Sequence, residues 1–109
     1  MSALIIEQLG KILQERKSAD PGSSYVASLY DGGLEAIIAK IKEESKELIE
    51  AAGEHPHSGR DNHLIHETAD LWFHTLVLLV SLDQDPTWVL EELEQRFGTS
   101  GIEEKANRE

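Results

Sequence analysis

The chain contains no cysteine, and that single absence excludes a disulfide scaffold, a thiolate zinc site and a cysteine nucleophile. It also fits a reducing cytoplasm, the expected location. Proline and glycine are sparse, at 3 and 8 of 109 residues, while 39% of the chain is apolar. So many apolar residues and so few breakers exclude a disordered chain. One globular domain is expected over 1–109, with a polar C-terminal tail from about residue 99. Positive charge is scarce: 10 Lys and Arg against 21 Asp and Glu leave a net charge of −11. Such a surface repels a nucleic-acid backbone, and no basic run offers a local footprint, so no nucleic-acid partner is expected. Long hydrophobic runs are missing too. Leu71–Val80 is about half a membrane span and contains His74, and Met1–Gly10 lacks the basic start of a secretory signal. No membrane partner is expected.

What is present is helical periodicity. No window alternates with period 2 for long, whereas apolar residues recur with period 3.6 along most of the chain. Ser2 caps a first helix with Ile5, Leu9, Ile12 and Leu13 on one face, ending near Arg16–Lys17. After the turn-rich stretch Ser18–Ser24, Ser24 caps a short helix, Tyr25–Tyr30, closed by Asp31-Gly32-Gly33. A long helix over Leu34–Ala52 carries Leu34, Ile37, Ile38, Ile41, Leu48, Ile49 and Ala52 as its apolar stripe. The loop Gly53–Asn62 leads to a helix over His63 to about Leu82, apolar nearly all round and therefore expected to be central and buried. Asp85 with Pro86 starts a last helix, Thr87–Phe97, with Trp88, Val89, Leu93 and Phe97 expected inward and Gly98 as its stop. Four main helices with short connections predict an all-α antiparallel bundle. A bundle this small is expected to complete its core by oligomerisation, at least as a homodimer, with the surplus apolar surface of Leu71–Val80 covered by a partner.

The acids carry the chemical information. At about 100° per residue, Lys40, Glu44, Glu47 and Ala51 fall in one stripe bordering the apolar face of the third helix, with Glu43 and Glu50 further round toward solvent. On the next helix Glu67, Asp70 and His74 share a stripe, with His63 and His66 beside it. Each of Glu44-x-x-Glu47 and Glu67-x-x-Asp70 therefore sets two carboxylates one turn apart on one face. Ionised acids on a helix with little polar face are costly to desolvate without partners, and Lys40 is the only cation in the stripe. A hard divalent cation, Mg²⁺ or Mn²⁺, resolves both burial and mutual repulsion. The pattern predicts a magnesium-type site between two facing helices, held by Glu44, Glu47, Glu67 and Asp70.

Other readings of the same residues are weaker. Glu44 and Glu47 in isolation resemble any solvated helix face paired with lysines. His74 reads as a hydrogen-bonded core histidine rather than a ligand, and His55 and His57, flanking Pro56, as surface residues. Zinc on His63, His66 and Asp70 lacks a third strong ligand. A di-iron bundle needs Glu-x-x-His on helices, and the only such spacing, Glu54 to His57, crosses Pro56.

The order E-x-x-E, a spacer over 48–66, then E-x-x-D resembles the MazG-like all-α nucleotide pyrophosphohydrolase superfamily. Ser24-Tyr25-Val26-Ala27-Ser28-Leu29, the block Lys40-x-x-Glu43-Glu44-x-x-Glu47, the run Glu67–His74 (ETADLWFH) and the tail Ser100–Lys105 (SGIEEK) narrow the resemblance to the phosphoribosyl-ATP pyrophosphohydrolase family. It covers roughly residues 9 to 106; Lys42 and Ser45 depart from the smaller residues expected there. The resemblance implies a MazG-like bundle and Mg²⁺-dependent hydrolysis of phosphoribosyl-ATP to phosphoribosyl-AMP and pyrophosphate, in histidine biosynthesis. Glu43 or Glu47 is the candidate general base. Lys40, Arg16, Arg96 and Lys105 are candidates for the phosphate clamp, and the resemblance adds Ser24, Tyr25, Ser100 and Gly101 as substrate contacts. It also implies a functional neighbour, the phosphoribosyl-AMP cyclohydrolase, sometimes fused to the family; a stand-alone form is expected here. The alternatives are a house-cleaning (d)NTP pyrophosphohydrolase, which the carboxylates alone do not exclude, and a non-enzymatic acidic interaction module.

Overall fold

The computed structural model describes residues 2–54 and 58–97. Among these residues five helices occur in chain order: α1 (Ser2–Glu15), α2 (Tyr25–Asp31), α3 (Gly33–Gly53), α4 (Asn62–Ser81) and α5 (Thr87–Phe97). A 3-10 turn, Arg16–Ser18, prolongs α1, and no strand occurs among the described residues. The chain is all-α, and its helix boundaries lie within a residue or two of those expected from periodicity and caps.

Local chemistry sets most of these ends. Ser24, extended at φ −136°, accepts a hydrogen bond from the Ala27 amide at 3.2 Å and starts α2. Gly33 takes φ +80°, so α2 gives way to α3 within two residues. Asp61, a cap the composition of the loop did not single out, accepts from the Leu64 amide at 3.0 Å and starts α4. Asp85 accepts from both the amide and the hydroxyl of Thr87, at 2.8 and 2.7 Å, as expected of the residue before Pro86. These bonds hold its carboxyl below the usual range. The end of α4 is closed by Gln84 N–H to Leu79 O and Asp83 N–H to Val80 O. That closure places Asp83 at φ +60°, a position usually taken by glycine.

Leu13, Ile37 and Val77, one each from α1, α3 and α4, are the most deeply buried large side chains. Leu29, Leu76 and Val80 complete the core. The Tyr30 hydroxyl pins α2 to α1 by donating to the Leu13 carbonyl at 2.9 Å, and burial pushes its phenol above the ordinary pKa. The α3–α4 pair is the most extensive interface in the fold. It runs antiparallel, because Glu54 meets His63 at 3.2 Å while Glu44 and Glu47 meet Glu67 and Asp70 further along.

Two expectations about burial are corrected. Trp88, Val89 and Leu93, expected inward, are 53%, 42% and 53% exposed, and Phe97 is 94% exposed. Helix α5 packs on α1 and contributes no buried residue, so its apolar face is left uncovered among the described residues. On α4, Ile65 and Trp72 are likewise exposed. The radius of gyration, 16.4 Å, exceeds the ~13 Å of a compact domain this long. Gly98 lies outside the described residues. Among those described, no helix is long and apolar enough to cross a membrane.

Candidate metal centre

The antiparallel register carries Glu44 and Glu47 of α3 opposite Glu67 and Asp70 of α4. Each of the four offers a carboxylate oxygen, and these oxygens all lie within 4.8 Å of one another. Glu44 is 5% exposed and Glu67 9%, while Glu47 and Asp70 are half-buried. The stripe of Lys40, Glu44, Glu47 and Ala51 thus runs deeper than the border of the apolar face, since Ala51 is buried as well.

The electrostatics are unfavourable as the side chains stand. Burial is the main cause that pushes the Glu44 carboxyl above its ordinary 4.5, Glu47 beside it raises it further, and the charge of Asp70 adds to this. Lys40 acts in the opposite direction, with Nζ 3.5 Å from Glu44 Oε1. Lys40 also pairs with Glu43 Oε2 at 3.2 Å. Partial burial works against its ammonium, but Glu43, Tyr25 and Glu44 outweigh that and raise its pKa. One cation does not balance the group. Two unit charges about 4 Å apart repel by about 4 kcal/mol at an effective dielectric of 20. Moreover, Glu44 Oε2 and Glu67 Oε2 are buried with no hydrogen-bond partner among the described residues. Buried carboxylate oxygens left without donors are a donor set that fits a hard divalent cation.

The histidines line the rim and floor of this group. His66 Nε2 lies 3.3 Å from Asp70 Oδ2, and His66, Glu67 and Asp70 also form a set of three that could hold an ion. This set has Glu67 in place of the His63 that the zinc reading used, and oxygen donors dominate the cluster as a whole. His63 bridges Glu54 Oε2 at 3.2 Å and Glu67 Oε1 at 3.5 Å. His74 is buried, with Nδ1 2.8 Å from the Asp70 carbonyl and Nε2 2.8 Å from the Tyr25 hydroxyl, so both ring nitrogens are engaged within the protein.

Of the remaining candidates, Glu43 is exposed at the edge of the cluster, tied to it through Lys40. Tyr25 is brought to the same place by its bond to His74, a pairing across 49 residues that no spacing rule reveals. Ser24, next to Tyr25, serves as the α2 cap. No described contact links Arg16 to the carboxylates; its neighbour Lys17 pairs with Asp83 at 2.9 Å, beyond the far end of α4. Arg96 pairs with Glu92 at 3.0 Å on α5, the helix that packs on α1. Ser100, Gly101 and Lys105 lie outside the described residues.

The family model of phosphoribosyl-ATP pyrophosphohydrolase matches residues 6–97, a span that takes in the whole carboxylate cluster. The chain belongs to this family, whose members are phosphoribosyl-ATP diphosphatases, and it is a hydrolase.

Proposed function

We propose that this member of the phosphoribosyl-ATP pyrophosphohydrolase family hydrolyses phosphoribosyl-ATP to phosphoribosyl-AMP and pyrophosphate, in histidine biosynthesis and with Mg²⁺ as its cofactor, Mn²⁺ substituting. The observation that carries this reading is the pair of buried, partnerless oxygens on Glu44 and Glu67, set among four converging carboxylates. Glu44, Glu47, Glu67 and Asp70 would hold the cation. When bound, it would offset the charge of the phosphates and acidify a water.

The chain's own residues do the rest. Glu43 is the better proton acceptor of the two acids considered, because it lies outside the set of four and is half-solvated, whereas a carboxylate bound to a dication is a poor base. Lys40, already among the acids, faces the phosphates as a point charge. Ser24 and Tyr25 contact the substrate beside it; Arg16, Arg96 and Lys105 join the phosphate clamp on the sequence alone, and Ser100 and Gly101 join the substrate contacts on the family resemblance. The exposed apolar side chains of α4 and α5 support a homodimer or higher homo-oligomer, and the composition suits the cytoplasm.

The test incubates the protein with phosphoribosyl-ATP, ATP and dCTP side by side, with and without Mg²⁺. Pyrophosphate release from phosphoribosyl-ATP alone, and only with the cation, is the expected result. Preferential turnover of dCTP would move the chain to the house-cleaning reading, and no turnover of any of the three would remove the enzyme reading.

A further inference from the structure

We propose that His74 is a positioning residue that fixes the polarity of Tyr25, so that the phenol oxygen meets the nucleotide only as a hydrogen-bond acceptor and contacts a sugar hydroxyl or base amine instead of a phosphate oxygen. The proposal deepens the reading of phosphoribosyl-ATP as substrate and rests on it.

The polarity follows from what each partner is able to do. The Asp70 carbonyl only accepts, so His74 Nδ1, 2.8 Å away, carries the hydrogen. In the neutral imidazole Nε2 then bears a lone pair, and the Tyr25 hydroxyl at 2.8 Å must donate to it. His74 is 5% exposed, and the rings of Phe73 and Tyr25 stand edge-on against it, with centroids 5.4 and 5.9 Å away. Little water therefore competes for the bond. Tyr25, by contrast, is 52% exposed. Its one proton is directed inward, and the oxygen's lone pairs are what remain for a ligand. A phosphate oxygen, itself an acceptor, finds no donor there, whereas a hydroxyl or amine does. Phosphates are left to the cations, and Tyr25 shares the electrostatic neighbourhood of Lys40. The chain thus sorts the two ends of a nucleotide by donor and acceptor as well as by charge.

The test has a spectroscopic and a binding arm. In histidine-¹⁵N-labelled full-length protein, the His74 signals are identified by their loss in His74→Gln. They are expected to show a protonated Nδ1 and an Nε2 that accepts a hydrogen bond, and Tyr25→Phe should move Nε2 downfield while leaving Nδ1 in place. An imidazolium, or the tautomer protonated at Nε2, overturns the proposal. In the binding arm, with Mg²⁺ present, Tyr25→Phe should weaken phosphoribosyl-AMP about fivefold, the loss of one hydrogen bond, and leave pyrophosphate affinity unchanged. Equal weakening of both ligands overturns it. His74→Phe, which frees the phenol proton to turn outward, should let Tyr25 donate to a phosphate oxygen and so tighten pyrophosphate, and His74→Gln, whose amide oxygen accepts the phenol proton, should recover the wild-type preference. A folded His74→Gln protein without recovery overturns the positioning role. Should the wild-type protein bind neither ligand, the substrate reading falls, while the nitrogen spectra still decide the direction of the bond.

Discussion

Glu44 on α3 and Glu67 on α4 face each other across the antiparallel helix pair, each burying one carboxylate oxygen that no group among the described residues satisfies. Removing one charge relieves repulsion but also deletes a ligand. In metal-free protein Glu67→Gln should therefore raise the melting temperature or leave it unchanged. Mg²⁺ should raise the melting temperature of the wild type and do little for the variant. A wild-type melting curve indifferent to Mg²⁺ and Mn²⁺ would contradict the site.

Activity should respond more sharply than stability. Glu67→Gln and Asp70→Asn should each lower pyrophosphate release by at least a hundredfold while the helical circular dichroism persists. Glu43→Gln should lower kcat by a similar factor yet keep the Mg²⁺-induced rise in melting temperature, because it lies outside the four ligands. Loss of that rise in Glu43→Gln would make it a ligand instead of the base.

The raised pKa of Glu44 makes a signed prediction for pH. A carboxyl whose folded pKa lies above its unfolded value binds more protons when folded, so stability falls as pH rises from about 4.5 through the folded pKa. Without metal, Glu44→Gln should match the wild type near pH 4 and become progressively more stable than it above that. Mg²⁺ should close the gap from the wild-type side. Thermal melts across pH 4–8 for both proteins decide it.

The junction of α2 and α3 offers a purely conformational check. Gly33 sits at φ +80° with open space where a Cβ would go, so Gly33→Ala meets no clash and reports backbone strain alone. It should cost about 1 kcal/mol and lower the melting temperature by several degrees. An unchanged melting temperature would mean that the junction relaxes freely.

The uncovered apolar side chains make an assembly prediction. Trp72, 63% exposed on α4, should lie in a subunit interface, and Trp72→Glu should shift sedimentation toward a 12.2 kDa monomer. Wild-type protein already sedimenting at that mass would remove the oligomer.

Helix positions and the pairing of carboxylates were readable along the chain because both depend on local physics. Period-3.6 patterning placed the five helices, Ser24 and Asp85 marked two starts, and the i,i+3 spacing put Glu44 with Glu47 and Glu67 with Asp70. Burial and long-range partners were not readable, because they depend on which surfaces the other elements cover. Trp88, Leu93 and Phe97 have the pattern of an inward face, yet α5 lies at the rim of the bundle. Glu44 by its own helix pattern only borders the apolar face, yet the antiparallel register of α3 and α4 closes over it. The bond between Tyr25 and His74 likewise exists only because α2 docks where α4 presents a buried imidazole. Hydrogen bonding along a helix assigns each residue a face; the crossing of helices decides whether that face meets water, apolar side chains or another charge.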